Sequence, residues 1–447
     1  MKKVYLETFG CQMNVSDSER VATRLVSDGF EMTANEAAAD IVLINTCSVR
    51  EKAEHKLYTR VGQIRKSEKE NNFSKKQIVG VLGCVAQLEG ETLFAGRNEI
   101  DFVLGTTAVG RVSEAIEKVL GGQKNYFDLG MREESYDWSV AENQRHSPYV
   151  AFVPIIEGCN KFCTYCIVPF SRGREKSLVA SEIIRQVVHL RRQGVREVHL
   201  IGQNVNSYRP PTDDGLENFR GATPFSRLLR AVAATGIERI KFNTSFPRDF
   251  HPDIVNAICE NENLCNWVHL PVQSGSNNVL KAMRRGHTIE NYLEKIDKIK
   301  SSSKKLALTT DIIIGFPNES DKDFQDTLKM ANYCKFDSAY IFKYSPRPGT
   351  PAFTMGDTVS EATKTERFLE LEKLIRLNQR DVFETYLNKT VEVLAEKVSN
   401  KNDTELSGHT TCQKVVNFNS SSELLGKIVK VKITETKTNT LYGEIYI

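Results

Sequence analysis

Three cysteines stand in the run Gly158-Cys159-Asn160-Lys161-Phe162-Cys163-Thr164-Tyr165-Cys166, spaced C-x3-C-x2-C. No fourth cysteine or histidine follows at ligand distance. This run constrains the chain most. A structural zinc site needs four protein ligands, and an iron–sulfur cluster held by four thiolates is closed to small molecules. Three thiolates leave one iron of a four-iron cluster open. Chemistry can happen at an open iron, so the fold has to present this short loop at a functional face.

The compartment follows from the other cysteines and the amino terminus. There are ten cysteines in 447 residues. Met1-Lys2-Lys3 runs straight into a strand-like stretch with no apolar signal region. No apolar run approaches the roughly 18 residues needed to span a bilayer. The chain is therefore read as cytoplasmic and without a membrane partner. Patterned cysteines there bind metals more often than they form disulfides. Cys259 and Cys334 fall in apolar helical patterns and are expected to be small buried thiols. Cys412 is given no catalytic role. The net charge of +3 is too small to argue for a nucleic-acid partner by itself.

The length is that of about three domains. In residues 1–130, β-rich runs at 4–9, 40–45, 77–82 and 102–104 alternate with helical patterns at 18–28, 49–69 and 110–120. That alternation predicts an open parallel α/β sheet. Cys11, Cys47 and Cys84 each follow one of its first three strands. In such sheets ligands bind beyond the carboxyl ends of the strands. The three thiolates could therefore converge on one metal centre. Residues 124–146 are polar and read as a connector, with Glu133, Glu134 and Asp137 in it. A second series covers 145–380, with strands expected at 150–157, 197–202, 239–244, 267–273, 307–315 and 337–344. Six β/α units predict a partial β/α barrel with its active site at the carboxyl ends of the strands. The Cys159 triplet follows the first of them. A long amphipathic helix is expected at 360–386. Residues 381–447 carry short β-branched runs and predict a small all-β barrel, a type that often binds RNA.

Cys159-Asn160-Lys161-Phe162-Cys163-Thr164-Tyr165-Cys166, at the head of a six-unit β/α series, resembles the motif of radical S-adenosylmethionine (SAM) enzymes. The upstream triad Cys11, Cys47 and Cys84 resembles that of the methylthiotransferases, a radical SAM subgroup with a second cluster. The terminal barrel resembles their TRAM domain. The stretches NTCSVREKAE (45–54), IVPFSRGRE (167–175), GQNVNSY (202–208) and YSPRPGT (344–350) are similar to the MiaB-type branch, which acts on isopentenylated adenosine in tRNA.

The resemblance implies two [4Fe-4S] clusters, one on Cys159, Cys163 and Cys166 and an auxiliary one on Cys11, Cys47 and Cys84. It implies that SAM closes the open iron of the first and is cleaved there to a 5′-deoxyadenosyl radical. A radical is required because the aromatic C2–H of adenosine is not acidic. The auxiliary cluster would carry the sulfur, and two SAM molecules would serve one product, a methylthio group at C2 of N6-isopentenyladenosine at position 37 of the anticodon loop.

The same resemblance implies that Tyr165 lies near the adenine of SAM and Gln203 near its amino group, with Gln273 reaching the ribose or carboxylate. Ser245 and Ile314 stand at further strand ends of that face. Arg172, Arg174, Arg248, Arg284, Arg285, Lys343 and Arg347 are candidates for RNA phosphate or SAM carboxylate, and His287 is read as an exposed loop histidine. The implied partners are the tRNA anticodon stem-loop, an electron donor such as flavodoxin or ferredoxin, and an iron–sulfur carrier protein. Two alternatives remain at this point: a methylthiotransferase acting on threonylcarbamoyl-adenosine or a ribosomal-protein aspartate, and a non-catalytic iron–sulfur RNA-binding protein.

Overall fold

The computed structural model describes residues 1–48, 51–70, 76–95, 99–130, 140–399 and 402–446. Val49 and Arg50 of the 45–54 stretch, and residues 131–139 of the expected connector (Glu133, Glu134 and Asp137 among them), lie outside the described residues. The chain divides into two compact units. One comprises Met1–His146 with Glu157–Asn160 and Cys166–Glu175; the other comprises Ser147–Ile156, Lys161–Tyr165 and Lys176–Ile447. No described helix is long and apolar enough to cross a membrane.

The first unit is built on a parallel sheet. Its strands are β1 (Lys3–Phe9), β2 (Glu31–Met32), β3 (Ile41–Thr46), β4 (Ile78–Gly83), β5 (Phe102–Leu104) and β6 (Tyr126–Asp128), in the order β2-β1-β3-β4-β5-β6. The helices are α1 (Gln12–Ser27), α2 (Glu51–Glu70), α3 (Cys84–Glu89) and α4 (Val112–Leu120). Every residue of β3 is buried. Leu43 joins one apolar cluster with Val21 and Leu25 of α1 and Ile116 of α4. Val42 and Ile44 join another with Leu57, Val61 and Ile64 of α2. Successive side chains of a strand point to opposite faces, so helices cover both.

Two expectations are corrected here. The first helix begins at Gln12, not near residue 18, because its opening turns bury polar residues: Asn14, Ser16, Asp17 and Ser18. Those inward polar side chains break the apolar periodicity that marks a helix. The region expected to be a connector opens with β6, a three-residue strand too short to carry a pattern.

In the second series the strands are β7 (Val150–Pro154), the short pair β8 (Ile156–Glu157) and β9 (Lys176–Ser177), then β10 (Glu197–Ile201), β11 (Arg239–Phe242), β12 (Trp267–His269), β13 (Ala307–Ile314) and β14 (Ser338–Lys343). Helices α5 (Val168–Arg172), α6 (Ala180–Arg192), α7 (Pro224–Ala233), α8 (Asp253–Glu260), α9 (Asn277–Ala282), α10 (Ile289–Lys300), α11 (Asp321–Cys334), α12 (Pro351–Thr354) and α13 (Glu361–Glu384) alternate with them. β7, β10 and β11 form one parallel sheet, and β12, β13 and β14 another. A single bridge, Ile240 to Leu264, marks the step between the two. β12 ends at His269, four residues short of the expectation, because Pro271 has no N–H to donate and Gln273 has a φ of 77°. One large apolar core lies beneath these strands and their helices. Cys334 is buried as expected, but Cys259 is only half-buried.

Strands β15 (Thr390–Ser399), β16 (Asn402–Thr410), β17 (Val415–Asn419), β18 (Ile428–Thr436) and β19 (Leu441–Ile445) close into a five-stranded barrel. Closure leaves no free sheet edge. The barrel belongs to the same unit as β10 and β11 and is fastened to the amino ends of those strands. Arg239, the first residue of β11, donates to the carbonyls of His409 (2.8 Å) and Glu392 (3.1 Å). His409 Nε2 lies 3.0 Å from Glu197 Oε2, and Lys414 Nζ lies 2.7 Å from Asp337 Oδ1.

Candidate active site

The first unit brings Cys11, Cys47 and Cys84 together. Each follows a neighbouring strand: Cys11 after β1, Cys47 after β3, and Cys84 at the first turn of α3 after β4. Proximity to Cys47 draws Cys11 and Cys84 down to about 6 each, and those two neighbours push Cys47 up. Cys47 and Cys84 are buried, while Cys11 is exposed.

Backbone and polar side chains fix the three positions. Asn14 Nδ2 donates to Asn45 Oδ1 (3.1 Å), and Asn45 Nδ2 returns bonds to Asn14 O and Ser18 Oγ (2.9 Å each). Cys11 Sγ lies 3.5 Å from Asn14 Oδ1. Gly83 has φ 91° and ψ −153°, a conformation open almost solely to glycine. A Cβ there would sit 2.3 Å from Asn45 Oδ1 and 2.8 Å from Thr46 O. Replacing Gly83 with alanine is expected to cost about 1–3 kcal/mol of stability and to displace Cys84. Thermal melting and the iron content of the reconstituted protein measure both effects; an unchanged iron content would show that Cys84 tolerates the shift.

A buried arginine completes this site. Arg172 Nη2 lies 2.7 Å from Asp17 Oδ2, and its Nη1 lies 3.3 Å from Glu157 Oε1. Both partners belong to the same unit. Arg172 is thus unavailable to RNA phosphate, contrary to the sequence expectation. Asn14, Asp17 and Glu157 gave no signal in the sequence, since isolated polar residues in a helix or at a strand end are ordinary.

Among the described residues no three His, Cys, Asp or Glu side chains converge on a single-ion position. A cluster does not require that, since each thiolate binds its own iron. Three neighbouring soft thiols, two of them readily ionised and one open to solvent, suit an iron–sulfur cluster.

The C-x3-C-x2-C loop runs through both units. Cys159 and Cys166 group with the first unit and Cys163 with the second. Gly158 has a φ of 77°, and a Cβ there would meet Arg174 O at 2.2 Å. Within the second unit Thr164 anchors the loop: its N–H donates to Met283 O (3.1 Å), its Oγ1 donates to Ala282 O (2.9 Å), and its carbonyl accepts from Ala352 N–H (2.8 Å). Arg285 Nη1 reaches Cys163 Sγ and Tyr165 Oη (3.4 Å each), and its Nη2 donates to Pro271 O (2.7 Å). Arg285 is buried beside the Cys163 thiol, so it too is corrected from the RNA-contact group. Lys343 is held by Glu361 at 2.6 Å, whereas Arg174, Arg248 and Arg284 are exposed. His287 is half-buried and pushed down to about 4 by burial and by Arg285, so it is not the exposed loop histidine expected.

At the carboxyl ends of β10 and β11 several buried polar atoms lack any hydrogen-bond partner in the protein: Gln203 Oε1, Ser245 Oγ, and both Oδ1 and Nδ2 of Asn243. Leaving a buried polar group unpaired costs about 1–3 kcal/mol. Such a set at a functional face fits a polar ligand such as SAM. Gln203 and Ser245 were expected there; Asn243 was not, although its position directly after β11 could have flagged it. Gln273, also buried, is held at positive φ by bonds to Asp311 and Ile313 on β13. The Ile314 side chain is fully buried in the core and its carbonyl accepts from Tyr344 N–H.

Known proteins agree with this architecture. Residues 3–105 match the uncharacterized protein family UPF0004, residues 153–331 the radical SAM superfamily, and residues 384–446 the TRAM domain. The fold is similar to that of the radical S-adenosylmethionine methyltransferase TsrM from Kitasatospora setae, with a TM-score of 0.56 at 12% identity over 79% of this chain and 75% of that one. These features define a radical SAM enzyme, which uses a [4Fe-4S] cluster and SAM.

More specific relatives cover the whole length. The tRNA-2-methylthio-N(6)-dimethylallyladenosine synthase of Alkalilimnicola ehrlichii is 41% identical over 446 residues, 99% of this chain and 97% of that protein. The enzyme of the same name from Solibacter usitatus is 41% identical over 449 residues, 99% and 98% of the two chains. The chain belongs to the tRNA-2-methylthio-N(6)-dimethylallyladenosine synthase family, a group of radical SAM methylthiotransferases.

Proposed function

We propose that this enzyme installs a methylthio group at C2 of N6-isopentenyladenosine at position 37 of tRNA, consuming two SAM molecules. The observation that carries the proposal is the second thiol triplet. Cys11, Cys47 and Cys84 stand at the carboxyl ends of three adjacent parallel strands, β1, β3 and β4, separate in sequence from the radical SAM loop. A radical SAM enzyme that only cleaves SAM has no need of them.

Cys159, Cys163 and Cys166 hold the SAM-binding [4Fe-4S] cluster in this reading, and Cys11, Cys47 and Cys84 hold an auxiliary one that carries the sulfur. When bound, the clusters and SAM supply the one-electron cleavage to a 5′-deoxyadenosyl radical and the sulfur to be transferred. The chain's own residues do the binding. Tyr165, beside Arg285, lines the adenine side. Gln203, Ser245 and Asn243 offer their unpaired donors and acceptors to the methionine part and ribose, with Gln273 and Ile314 bounding the same face. Burial excludes water, which would compete for each of these bonds and weaken it. The five-stranded barrel is assigned to tRNA binding, with domains at 1–130, 145–380 and 381–447. A flavodoxin or ferredoxin would supply electrons, an iron–sulfur carrier would load the clusters, and the setting is cytoplasmic.

The test offers reduced, reconstituted protein and SAM three acceptors: isopentenylated tRNA, threonylcarbamoylated tRNA, and a ribosomal-protein peptide bearing the target aspartate. Methylthiolation of the isopentenylated tRNA alone is expected. Product on either other acceptor in its place overturns the substrate assignment, and no 5′-deoxyadenosine with any acceptor overturns the enzyme reading.

A further inference from the structure

Arg285 follows helix α9 in a tight turn and is only 4% exposed. Its backbone N–H donates to Leu280 O at 3.0 Å. Arg284, just before it, has a φ of 56°, a conformation that costs free energy in any residue but glycine. Such strain persists where the surrounding structure needs the chain turned that way. The same turn receives the cysteine loop. Thr164, next to Cys163, donates from its N–H to Met283 O (3.1 Å) and from its Oγ1 to Ala282 O (2.9 Å). Cys163 and Arg285 are therefore held at a fixed separation.

Across that gap Arg285 Nη1 lies 3.4 Å from Cys163 Sγ and 3.4 Å from Tyr165 Oη, while Nη2 donates to Pro271 O at 2.7 Å. The guanidinium carbon lies 4.3 Å from the centre of the Phe246 ring. The carbonyl and the ring would hold the side chain in the core without the sulfur. A thiol is a weak acceptor, but a thiolate, the form that binds iron, accepts a charge-assisted hydrogen bond. A buried guanidinium at this distance thus fits Cys163 as a thiolate ligand. Lys161 and Arg248 lie against the same ring, and both are held by Asp249, at 2.5 and 2.9 Å. A four-iron core held by three thiolates carries net negative charge, which deepens by one on reduction. Hydrogen bonds to the sulfurs and local charge set the potential of such a cluster.

We infer that Arg285 is a positioning residue of the SAM-binding cluster: it donates to the Cys163 sulfur, steadies the charge gained with an electron, and so sets the potential at which SAM can be cleaved. The inference rests on the ligand role proposed above for Cys163.

The test is an EPR-monitored redox titration in a Cys47→Ala background, where the SAM-binding cluster is the sole iron–sulfur signal. Arg285→Gln is expected to weaken the reduced form against the oxidised form by about tenfold or more, the range for a charge-assisted hydrogen bond; each tenfold is a fall of about 59 mV. Arg285→Lys keeps the charge without the planar fork and is expected to recover part of that fall. Arg248→Gln removes a cation from the same ring and is expected to leave the potential in place. An Arg285→Gln protein that holds its cluster at the parent's potential overturns the inference, since a merely structural arginine would change only the melting temperature. An equal fall in Arg248→Gln also overturns it, because the effect would then be one of general charge. Labelling the parent's arginines with nitrogen-15 supplies a readout should Arg285→Gln hold no cluster. Pulsed EPR of the reduced cluster is expected to show a nitrogen coupling that Arg285→Lys loses, and its absence from the parent overturns the inference. Absence of any cluster in the Cys47→Ala parent is a distinct result, which removes the ligand role of Cys163 and the inference with it.

Discussion

Replacing Cys47 with alanine is expected to leave SAM cleavage running and to stop sulfur insertion. Cys47 sits at the centre of its triplet, because β3, which it follows, lies between β1 and β4, the strands that Cys11 and Cys84 follow. It is also 2% exposed, so a solvent ligand does not readily replace it. Losing it leaves two thiols, too few to retain a four-iron cluster stably. The variant should bind about half the iron of the parent protein, since one of two four-iron clusters remains. The radical SAM loop is untouched, because Thr164 and its bonds to Ala282, Met283 and Ala352 anchor it independently. 5′-Deoxyadenosine should therefore still form under reducing, anaerobic conditions, with no methylthiolated nucleoside in the digested tRNA. Full product formation by Cys47→Ala would sink the role given to this triplet.

The second large effect lies at the seam between the strands of the partial barrel and the terminal five-stranded barrel. Glu197 is fully buried and takes hydrogen bonds from two histidines, His199 at 2.6 Å and His409 at 3.0 Å. His409 Nδ1 also faces Glu396 Oε2 at 3.4 Å. Arg239, Lys241 and Gln413 complete the surroundings. Burial alone would depress His409, but the Glu197 and Glu396 carboxylates together push it up to about 9. Burial likewise works against Glu197, and His409 and His199 hold it well below the usual carboxylate range.

The sign of the pH dependence follows. A histidine whose pKa is raised on folding stabilises fully below its unfolded value, about 6.5, and loses that contribution as pH rises through about 9. Replacing Glu197 with glutamine leaves a buried imidazolium short of its main partner and is expected to cost about 3–5 kcal/mol. The loss should be largest near pH 6.5 and should shrink towards about pH 9.5. Thermal unfolding of both proteins across that range measures it. Hydrogen exchange in the 411–414 turn should rise in the variant, because His409, Gln413 and Lys414 are what tie that turn down. A cost that does not vary with pH would show that the seam is not held by charge.

Reading the fold from the sequence worked where a local pattern had one physical cause. The strand at 41–46 is buried on both faces, so its apolar run was unbroken. It failed where a residue served the site instead of the core. Polar Asn14, Ser16, Asp17 and Ser18 are buried, which hid the first turns of α1. It also failed where a partner lay far along the chain. Arg172 reads as an ordinary surface arginine because its partner Asp17 lies far back along the chain, on α1.

By itself the sequence determined the chemistry available: six cysteines in two triplets, and the order of sheet, partial barrel and small barrel. Those are properties of residue type and short-range spacing, and a chain carries them whether or not it is folded. Only the tertiary structure decided which charges are spent on the inside. It buried Arg172 against Asp17 and Glu157, set Arg285 beside Cys163, and left side-chain atoms of Gln203, Asn243 and Ser245 without hydrogen-bond partners. The reason is physical. Burial makes a charge or an unpaired polar atom costly, and whether a residue is buried depends on packing between segments that no local pattern connects.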